Sequence, residues 1–344
     1  MASIRDIAER AKVSIGTVDR VIHNRGRVSR KTRDSVQRIV AELDYTPNIY
    51  GRNLSLGKMF QFGVVMPKLD QDSGYWRIPA NGIDRAHRQL GAAKVRVVYF
   101  FFDRYSELSF ERAFRKALNS NLDGCLLAPV LPFIAQKLFS SLPTKTPYVF
   151  FDSSIPETHP LTSIGQDPFQ SGVLAASLMT RIAGDNGRVA IVKVAPSDYH
   201  IDERLRGFLS GIKSGRSIET VQYEADSHGG EGAFRKVALR ILHENVNLGG
   251  VYVSNAWTHP FAHYLNDQAS GRRIAIIGYD LVALNQKYLK AGLIDFIISQ
   301  RPGMQGFEGI NALYRNVVLR DKVKKSIMVP LDIITKDNVE YYQD

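Results

Sequence analysis

Residues 1–43 carry apolar positions at the spacing of short amphipathic helices. Ser3, Ser14 and Ser29 each precede such a segment, and a serine hydroxyl there can cap the first helical turn. Only Lys12-Val13 separates the first two predicted helices, which is typical of a helix-turn-helix. The apolar faces predicted to form the core of this N-terminal head are Ile4, Ile7, Ala8 and Ala11; Val18, Val21 and Ile22; and Val36, Ile39, Val40 and Leu43.

The helical pattern ends at Tyr45-Thr46-Pro47-Asn48, because proline disfavours helical geometry in the residue before it. Residues 48–58 contain Leu54 and Leu56 but are too few to bury a core of their own. We therefore expect a linker that becomes ordered only in contact with another surface.

From Phe62 onward, short β-rich apolar runs alternate with helical stretches, which favours parallel sheets covered by helices. About nine strands are too many for one such sheet in a single domain. The fold class is therefore α/β, with a small all-α head and a body of two lobes. The predicted strands are 62–66, 95–102, 124–128, 147–151, 188–194, 218–223, 249–253, 273–278 and 294–299.

Positive charge is concentrated in the head. Residues 1–58 hold 12 of the 45 Lys and Arg residues but only 6 of the 34 Asp and Glu residues, which indicates a local surface for a polyanion. The single cysteine, Cys125, lies in an apolar run and excludes intramolecular disulfides. No signal-peptide core and no apolar stretch long enough to span a membrane is evident, so we expect a cytoplasmic location.

The chain resembles the LacI/GalR family of bacterial repressors over nearly its whole length. The resemblance is most specific in the head, at residues 4–14 (IRDIAERAKVS), 17–22 (TVDRVI) and 43–48 (LDYTPN). Weaker matches follow in the family's order at residues 204–208 (RLRGF), 276–280 (IIGYD) and 298–302 (ISQRP).

The resemblance implies a helix-turn-helix DNA-binding domain over 1–47, a hinge helix over 48–58 and an effector-binding domain over 59–344. It implies a body similar to periplasmic sugar-binding proteins, in which the chain crosses three times between lobes. We expect one lobe to contain residues 60–162 and 300–321, and the other 163–298 and 322–344. The resemblance also implies a homodimer, since the C-terminal residues show no leucine repeat for a tetramer.

The second helix of a helix-turn-helix enters the major groove, which brings Ile15, Gly16, Asp19 and Arg20 nearest to the base edges. Arg20 can bind guanine, although a phosphate contact or an ion pair with Asp19 or Glu9 is the alternative. The family commonly has polar or aromatic readers at positions 15 and 16 and serine at 19, so the operator sequence does not transfer.

Backbone phosphates are the partners expected for Ser14, Thr17, Ser29, Thr32 and Arg33, which can also serve as caps and solvated charges. The hinge residues of the family match Asn48, Arg52 and Leu54. In that family, paired hinge helices enter the minor groove and a leucine wedges a base step, a role for which Leu56 competes with Leu54.

A ligand of a two-lobed α/β fold binds at the carboxyl ends of the strands. The strand ends provide Tyr75, Trp76, Asp103 and Asp152, and the resemblance adds Arg204, Asn255, Asp280 and Gln300. Aromatic walls with paired donors and acceptors suit a polyol, so the expected effector is a sugar or sugar derivative. The family often has Asn-Asp where this chain has Asn255-Ala256-Trp257, so either the ligand lacks the hydroxyl pair that this aspartate binds or Trp257 reshapes the site.

An enzyme and a solute-binding protein are the alternatives to a regulator. The body lacks a dinucleotide-binding fingerprint, a phosphate-binding loop and a nucleophile elbow, so no cofactor is expected. His259 and His263 have the spacing of zinc ligands but lack an obvious third ligand, so no metal is expected either. A transport protein is disfavoured by the DNA-binding head.

Overall fold

The computed structural model describes residues 4–22, 26, 28–43, 59–91, 94–141, 145–183, 187–196, 198–213, 218–268 and 273–342. Residues 1–58 form one compact unit, the head, and residues 59–91 with 95–344 form the other, the body. Within the described residues, no helix has both the length and the apolarity needed to cross a membrane.

The described part of the head contains three helices, α1 (Ile4–Ala11), α2 (Ile15–Ile22) and α3 (Arg30–Glu42). Their shared core consists of Ile7, Ala8, Val18, Val21 and Val36, all taken from the predicted apolar faces. The tight connection between α1 and α2 places Lys12 at a φ of 52° and closes with a hydrogen bond from Val13 N to Ala8 O. The predicted helix-turn-helix is therefore present.

The body contains two six-stranded sheets. The first has the strand order β11-β5-β4-β3-β1-β2 and the second β12-β10-β9-β8-β6-β7. Every pairing between neighbouring strands is parallel except β10 with β12. The strands are β1 (Phe60–Pro67), β2 (Val95–Phe102), β3 (Gly124–Leu127), β4 (Tyr148–Phe151), β5 (Thr162–Gly165), β6 (Arg188–Ala195), β7 (Thr220–Asp226), β8 (Leu248–Val253), β9 (Ala275–Tyr279), β10 (Phe296–Ser299), β11 (Ser326–Met328) and β12 (Asp332–Ile334).

Helices cover the two sheets and complete two lobes, lobe 1 around the first sheet and lobe 2 around the second. Apolar runs bury both faces of the central strands, as expected for parallel sheets. Lobe 1 has α4 (Arg77–Gln89), α5 (Glu107–Leu118), α6 (Pro132–Ser141) and α12 (Pro302–Leu313), and lobe 2 has α7 (Pro168–Ile182), α8 (Tyr199–Lys213), α9 (Gly230–Glu244), α10 (Thr258–Gln268) and α11 (Ala283–Lys290).

The chain passes between the lobes three times, after β5, after β10 and after β11. Lobe 1 extends to residue 165 through β5 and to residue 328 through β11. These two strands and β12 are additional to the nine predicted. Each mixes polar and apolar residues within three or four positions (TSIG, SIM and DII), whereas the equally short β3, β4 and β10 lie in nearly continuous apolar runs.

Close helix packing fixes the base of lobe 2. A Cβ atom on Gly172 of α7 would lie 2.0 Å from Arg204 O, and one on Gly207 of α8 would lie 1.9 Å from Phe169 O. The two helices can approach this closely only because both positions are glycine. This contact sets the position of Arg204 on α8.

Candidate functional site: a head surface and an interlobe cavity

The N-terminal end of α2 is the exposed part of the helix-turn-helix. Ile15 keeps 44% of its surface exposed, and Gly16 and Arg20 are also exposed, whereas Val18 and Val21 on the opposite side are buried. Thr17 and Asp19 are partly buried between these two faces. The residues that we expect to read bases therefore lie on or beside one accessible face.

Two serines cap helices of the head, as the sequence suggests. Ser14 Oγ accepts a hydrogen bond of 3.1 Å from Thr17 N, and Ser29 Oγ accepts one of 3.2 Å from Thr32 N. Ser14 and Ser29 remain exposed, whereas Thr17, Thr32 and Arg33 are half-buried.

The predicted hinge contacts Asn48, Arg52 and Leu54 lie outside the described residues, as does the competing Leu56.

A cavity lies between the two lobes of the body at the carboxyl ends of their strands. It encloses about 440 Å³, part of which is open to solvent. Eight of the nine effector-site residues selected from the sequence line it: Tyr75, Trp76, Asp152, Arg204, Asn255, Trp257, Asp280 and Gln300.

Asp103 is the exception, and its assignment to the cavity is wrong. Its carboxylate turns back onto its own lobe, where it accepts hydrogen bonds from Gln71 Nε2 at 2.9 Å and Tyr105 N at 3.0 Å. These bonds lower the pKa of Asp103. The loop after β2 instead points the next side chain, Arg104, into the cavity.

A continuous polar chain crosses the cavity wall from lobe 1 to lobe 2. Tyr75 Oη donates a 2.5 Å hydrogen bond to Asp152 Oδ1 and accepts a 2.9 Å hydrogen bond from Gln300 Nε2. Gln300 Nε2 also lies 3.2 Å from Asp280 Oδ2, to which it donates. The two carboxyl groups therefore face the same space from opposite lobes.

Asp152 and Asp280 occupy equivalent positions, each directly after a central strand and each in the left-handed region, with φ of 69° and 64°. Buried amides hold this unusual backbone. Gln305 Oε1 accepts from Asp152 N at 2.7 Å, and Asn285 Nδ2 donates to Asp280 O at 2.9 Å. Strain of this kind persists only where the surroundings impose it, and it is common at binding sites.

Arg204 is almost fully buried at the base of the cavity. Its guanidinium carbon lies 3.9 Å from the centre of the Tyr279 ring, and Nη1 donates a 3.2 Å hydrogen bond to Ser254 O. In the described part of the chain, its Nε and Nη2 atoms have no hydrogen-bond partner. Neither do Asp280 Oδ1 and Trp257 Nε1, which are equally buried and also belong to the lining.

Burial raises the pKa of both cavity carboxyl groups. The pKa of Asp280 reaches about 7, because loss of solvent outweighs the stabilising charge of Arg204. Burial likewise raises the pKa of Asp152, even though Tyr75 and Arg204 stabilise its charged form. The ionised forms of Asp152 and Asp280 are therefore disfavoured in the cavity because burial removes their solvation.

A second polar cluster closes the cavity at its edge and joins the lobes. Arg104 of lobe 1 lies 3.6 Å from Asp72 Oδ2 and 3.2 Å from Asp198 Oδ2 of lobe 2. Asp198 Oδ1 is 2.8 Å from His200 Nδ1. Burial opposes ionisation of Asp198, but His200 and Arg104 lower its pKa to about 2.

Further contacts between the lobes lie beside this cluster. Ser73 Oγ is 2.8 Å from His259 Nε2, and the rings of Tyr105 and His228 are 4.3 Å apart. Burial lowers the pKa of His259 to about 4, so its imidazole is neutral at pH 7. The structure therefore has its lobes in contact around the cavity.

Both tryptophans contribute to the lining. Trp76 donates from Nε1 to Asp72 Oδ2 at 2.8 Å, and Trp257 stacks on Phe234 with ring centres 4.8 Å apart. One indole therefore belongs to each lobe.

Sequence reasoning missed four charged or titratable residues of the lining: Asp72, Arg104, Asp198 and His200. Arg104, Asp198 and His200 follow the ends of β2 and β6. The carboxyl ends of β2 and β6 therefore indicate these residues. The prediction selects Asp103 instead of Arg104 after β2 and selects no residue after β6.

The two units match two known families. The head matches the bacterial regulatory proteins of the lacI family over residues 3–48, and the body matches the periplasmic binding protein domain over residues 62–319. The chain therefore belongs to the lacI family of bacterial regulatory proteins, with a periplasmic-binding-protein domain as its body. This confirms the predicted family and fold class.

Individual relatives agree with this assignment. The ribose operon repressor of Halalkalibacterium halodurans is 25% identical over 295 residues, which cover 83% of this chain and 82% of the relative. Catabolite control protein B of Bacillus subtilis is 43% identical over 70 residues, which cover only 20% of this chain and 22% of the relative. The chain is thus similar to DNA-binding regulators over most of its length.

Solved structures share the fold of the body. A putative LacI transcriptional regulator from Bacteroides fragilis superposes with a TM-score of 0.76 at 24% identity, over 83% of this chain and all of the other. The glucose-galactose binding protein GanP from Geobacillus stearothermophilus gives 0.72 at 21% identity, over 82% of this chain and 99% of that protein. The same architecture therefore occurs in regulators and in solute-binding proteins.

Proposed function

We propose that this protein is a cytoplasmic, homodimeric repressor whose head binds operator DNA and whose interlobe cavity binds a sugar or sugar derivative as effector. The observation that carries the effector site is the set of unpartnered buried atoms on Arg204, Trp257 and Asp280. An unpaired buried polar group costs about 1–3 kcal/mol, and a ligand that completes its hydrogen bonds recovers that free energy.

A sugar suits these groups chemically. Hydroxyl and ring oxygens can accept from Nε and Nη2 of Arg204 and from Trp257 Nε1, while a hydroxyl can donate to Asp280 Oδ1. The names of the ribose operon repressor and the glucose-galactose binding protein among similar proteins support the same ligand class.

On the DNA side, the exposed face of α2 supports base contacts by Ile15 and Arg20, with Gly16 and Asp19 beside them. Backbone contacts fall to the capping hydroxyls and to Arg33, because helix N-termini and cations favour phosphate. In this proposal the hinge residues Asn48, Arg52 and Leu54 enter the minor groove, as in the family.

Coupling between the two sites follows from the position of the ligand between the lobes. A ligand that contacts both lobes binds the closed body more tightly than the open one, and only this difference in affinity can shift the conformational equilibrium. The DNA-binding heads of the dimer respond to that shift.

The test is a thermal-shift and calorimetric screen of sugars on the full chain, followed by the variant Arg204→Met. At least one sugar should raise the melting temperature, and Arg204→Met should weaken its binding more than tenfold, because a charge-assisted contact of about 2 kcal/mol is lost.

The matched control is Arg206→Met, since Arg206 lies on the same helix but is exposed and paired with Glu203. This variant should bind the sugar as the wild type does. Equal affinity of the wild type and Arg204→Met would refute the proposed site.

A further inference from the structure

The lining of the interlobe cavity carries more acid than base. Four carboxyl groups, those of Asp72, Asp152, Asp198 and Asp280, face two guanidinium groups, those of Arg104 and Arg204. His200 is the other basic side chain of the lining, and its Nδ1 atom lies 2.8 Å from Asp198 Oδ1.

Arg104 has little capacity left for a ligand. Asp72 and Asp198 flank it, and its Nη1 and Nη2 atoms donate to Val130 O at 2.9 Å and Pro196 O at 3.4 Å. Its charge is therefore already compensated by two carboxylates, and its donors are used by protein acceptors.

Within the described lining, Arg204 has donors without a protein partner, but nearby carboxyl groups already stabilise its charge. The carboxyl groups of Asp280 and Asp152 both stabilise its charged form, although no carboxylate of the described residues lies within 4.0 Å of it. The Nε and Nη2 atoms of Arg204, which have no partner among the described residues, can therefore donate hydrogen bonds to a ligand. The guanidinium group does not require that ligand to carry a negative charge.

We infer that the effector is a sugar without a negative charge, and that the cavity rejects phosphorylated sugars and sugar acids. This inference rests on the proposed function and specifies its ligand class. A phosphate or carboxylate would bring its charge into a cavity whose acidic groups already exceed its basic groups. In a partly buried site, repulsion between like charges a few ångströms apart weakens binding by about 100-fold.

The first experiment uses matched sets of ligands on the full chain. Each set contains a neutral pentose or hexose, its phosphate ester and its acid, for example D-galactose, galactose phosphate and galacturonate, and calorimetry gives each dissociation constant. At pH 8, where Asp280 with its pKa of about 7 is ionised, the neutral member of the best set should bind about 100-fold more tightly than either anionic member.

The two ways of failing are distinct. Tightest binding by a phosphate or an acid would overturn the charge inference but leave a sugar effector in place. Failure of every sugar, neutral or charged, to bind would overturn the sugar assignment itself.

A second experiment tests whether charge is the cause. At pH 8, Asp280→Asn keeps the size of the side chain and removes its negative charge, so the ratio of dissociation constants for acid and neutral sugar should fall at least tenfold, whatever happens to the absolute affinity. Asp103→Asn is the control, because Asp103 lies outside the cavity, and it should leave the ratio unchanged. An unchanged ratio in Asp280→Asn would overturn the electrostatic explanation.

Discussion

The buried carboxyl group of Asp280 makes the stability of the body depend on pH. Its pKa in the folded protein is about 7, against an ordinary value of 3.8, because burial disfavours the charged form. Between these values the folded chain holds a proton that the unfolded chain has lost. Stability must therefore fall as the pH rises through this window, and the loss is complete above pH 7.

The size of the effect follows from the two pKa values. The whole difference corresponds to about 4 kcal/mol, at about 1.4 kcal/mol for each pKa unit. Between pH 5 and pH 8 alone, ionisation of Asp280 should cost roughly 2–3 kcal/mol. The variant Asp280→Asn cannot ionise, so its stability relative to the wild type should increase by this amount over the same range.

Urea unfolding at several pH values, followed by circular dichroism, measures the difference between the two proteins. Taking the difference removes the contributions of groups that titrate in the same way in both. Asp103→Asn is again the control, because the pKa of Asp103 is lowered and its titration lies below this range. A stability difference between Asp280→Asn and the wild type that is constant from pH 5 to pH 8 would show that Asp280 titrates normally, contrary to our reasoning.

Two further predictions concern the head and the contact between lobes. Arg20→Ala should weaken operator binding by about 1–3 kcal/mol and relax preference at one base pair of each half-site, as measured by binding to a set of operator variants. An equal loss on every sequence would make Arg20 a phosphate contact. In a double-mutant cycle on thermal stability, Arg104→Met and Asp198→Asn should be coupled by at least about 1 kcal/mol, because their ion pair is buried. Additive effects would exclude a direct contribution of this pair.

The sequence predicts the periodic parts of the molecule well, because periodicity reflects burial. The helices of the head and the nine predicted strands all have apolar patterns of this kind. The strands β5, β11 and β12 are set by pairing with strands that are distant in the sequence, which no local pattern records.

The sequence predicts where the strands end better than it predicts the directions of the side chains in the loops that follow them. Strand order brings Asp152 and Asp280 to one cavity, but the turn that follows β2 decides between Asp103 and Arg104. The choice between them depends on Gln71, thirty-two residues before Asp103, whose Nε2 donates to Asp103 Oδ1 and whose Oε1 accepts from Arg104 N. The network of Arg104 with Asp198 likewise joins segments that come together only after both lobes have formed.

Because the chain crosses between the lobes three times, lobe 1 cannot be completed until most of lobe 2 has been synthesised. Lobe 1 begins with β1 but receives α12 and β11 only after all the helices of lobe 2 have been made, and α12 packs directly on β3, β4 and β5. A nascent chain that has just emerged past residue 300 therefore exposes the apolar faces of these strands. Lobe 1 is complete only after residue 328 has been synthesised, whereas α1, α2 and α3 of the head are all synthesised before β1. Ribosomal stalling between residues 300 and 326 would thus leave lobe 1 without α12 or β11 and yield a product suited to removal by proteases.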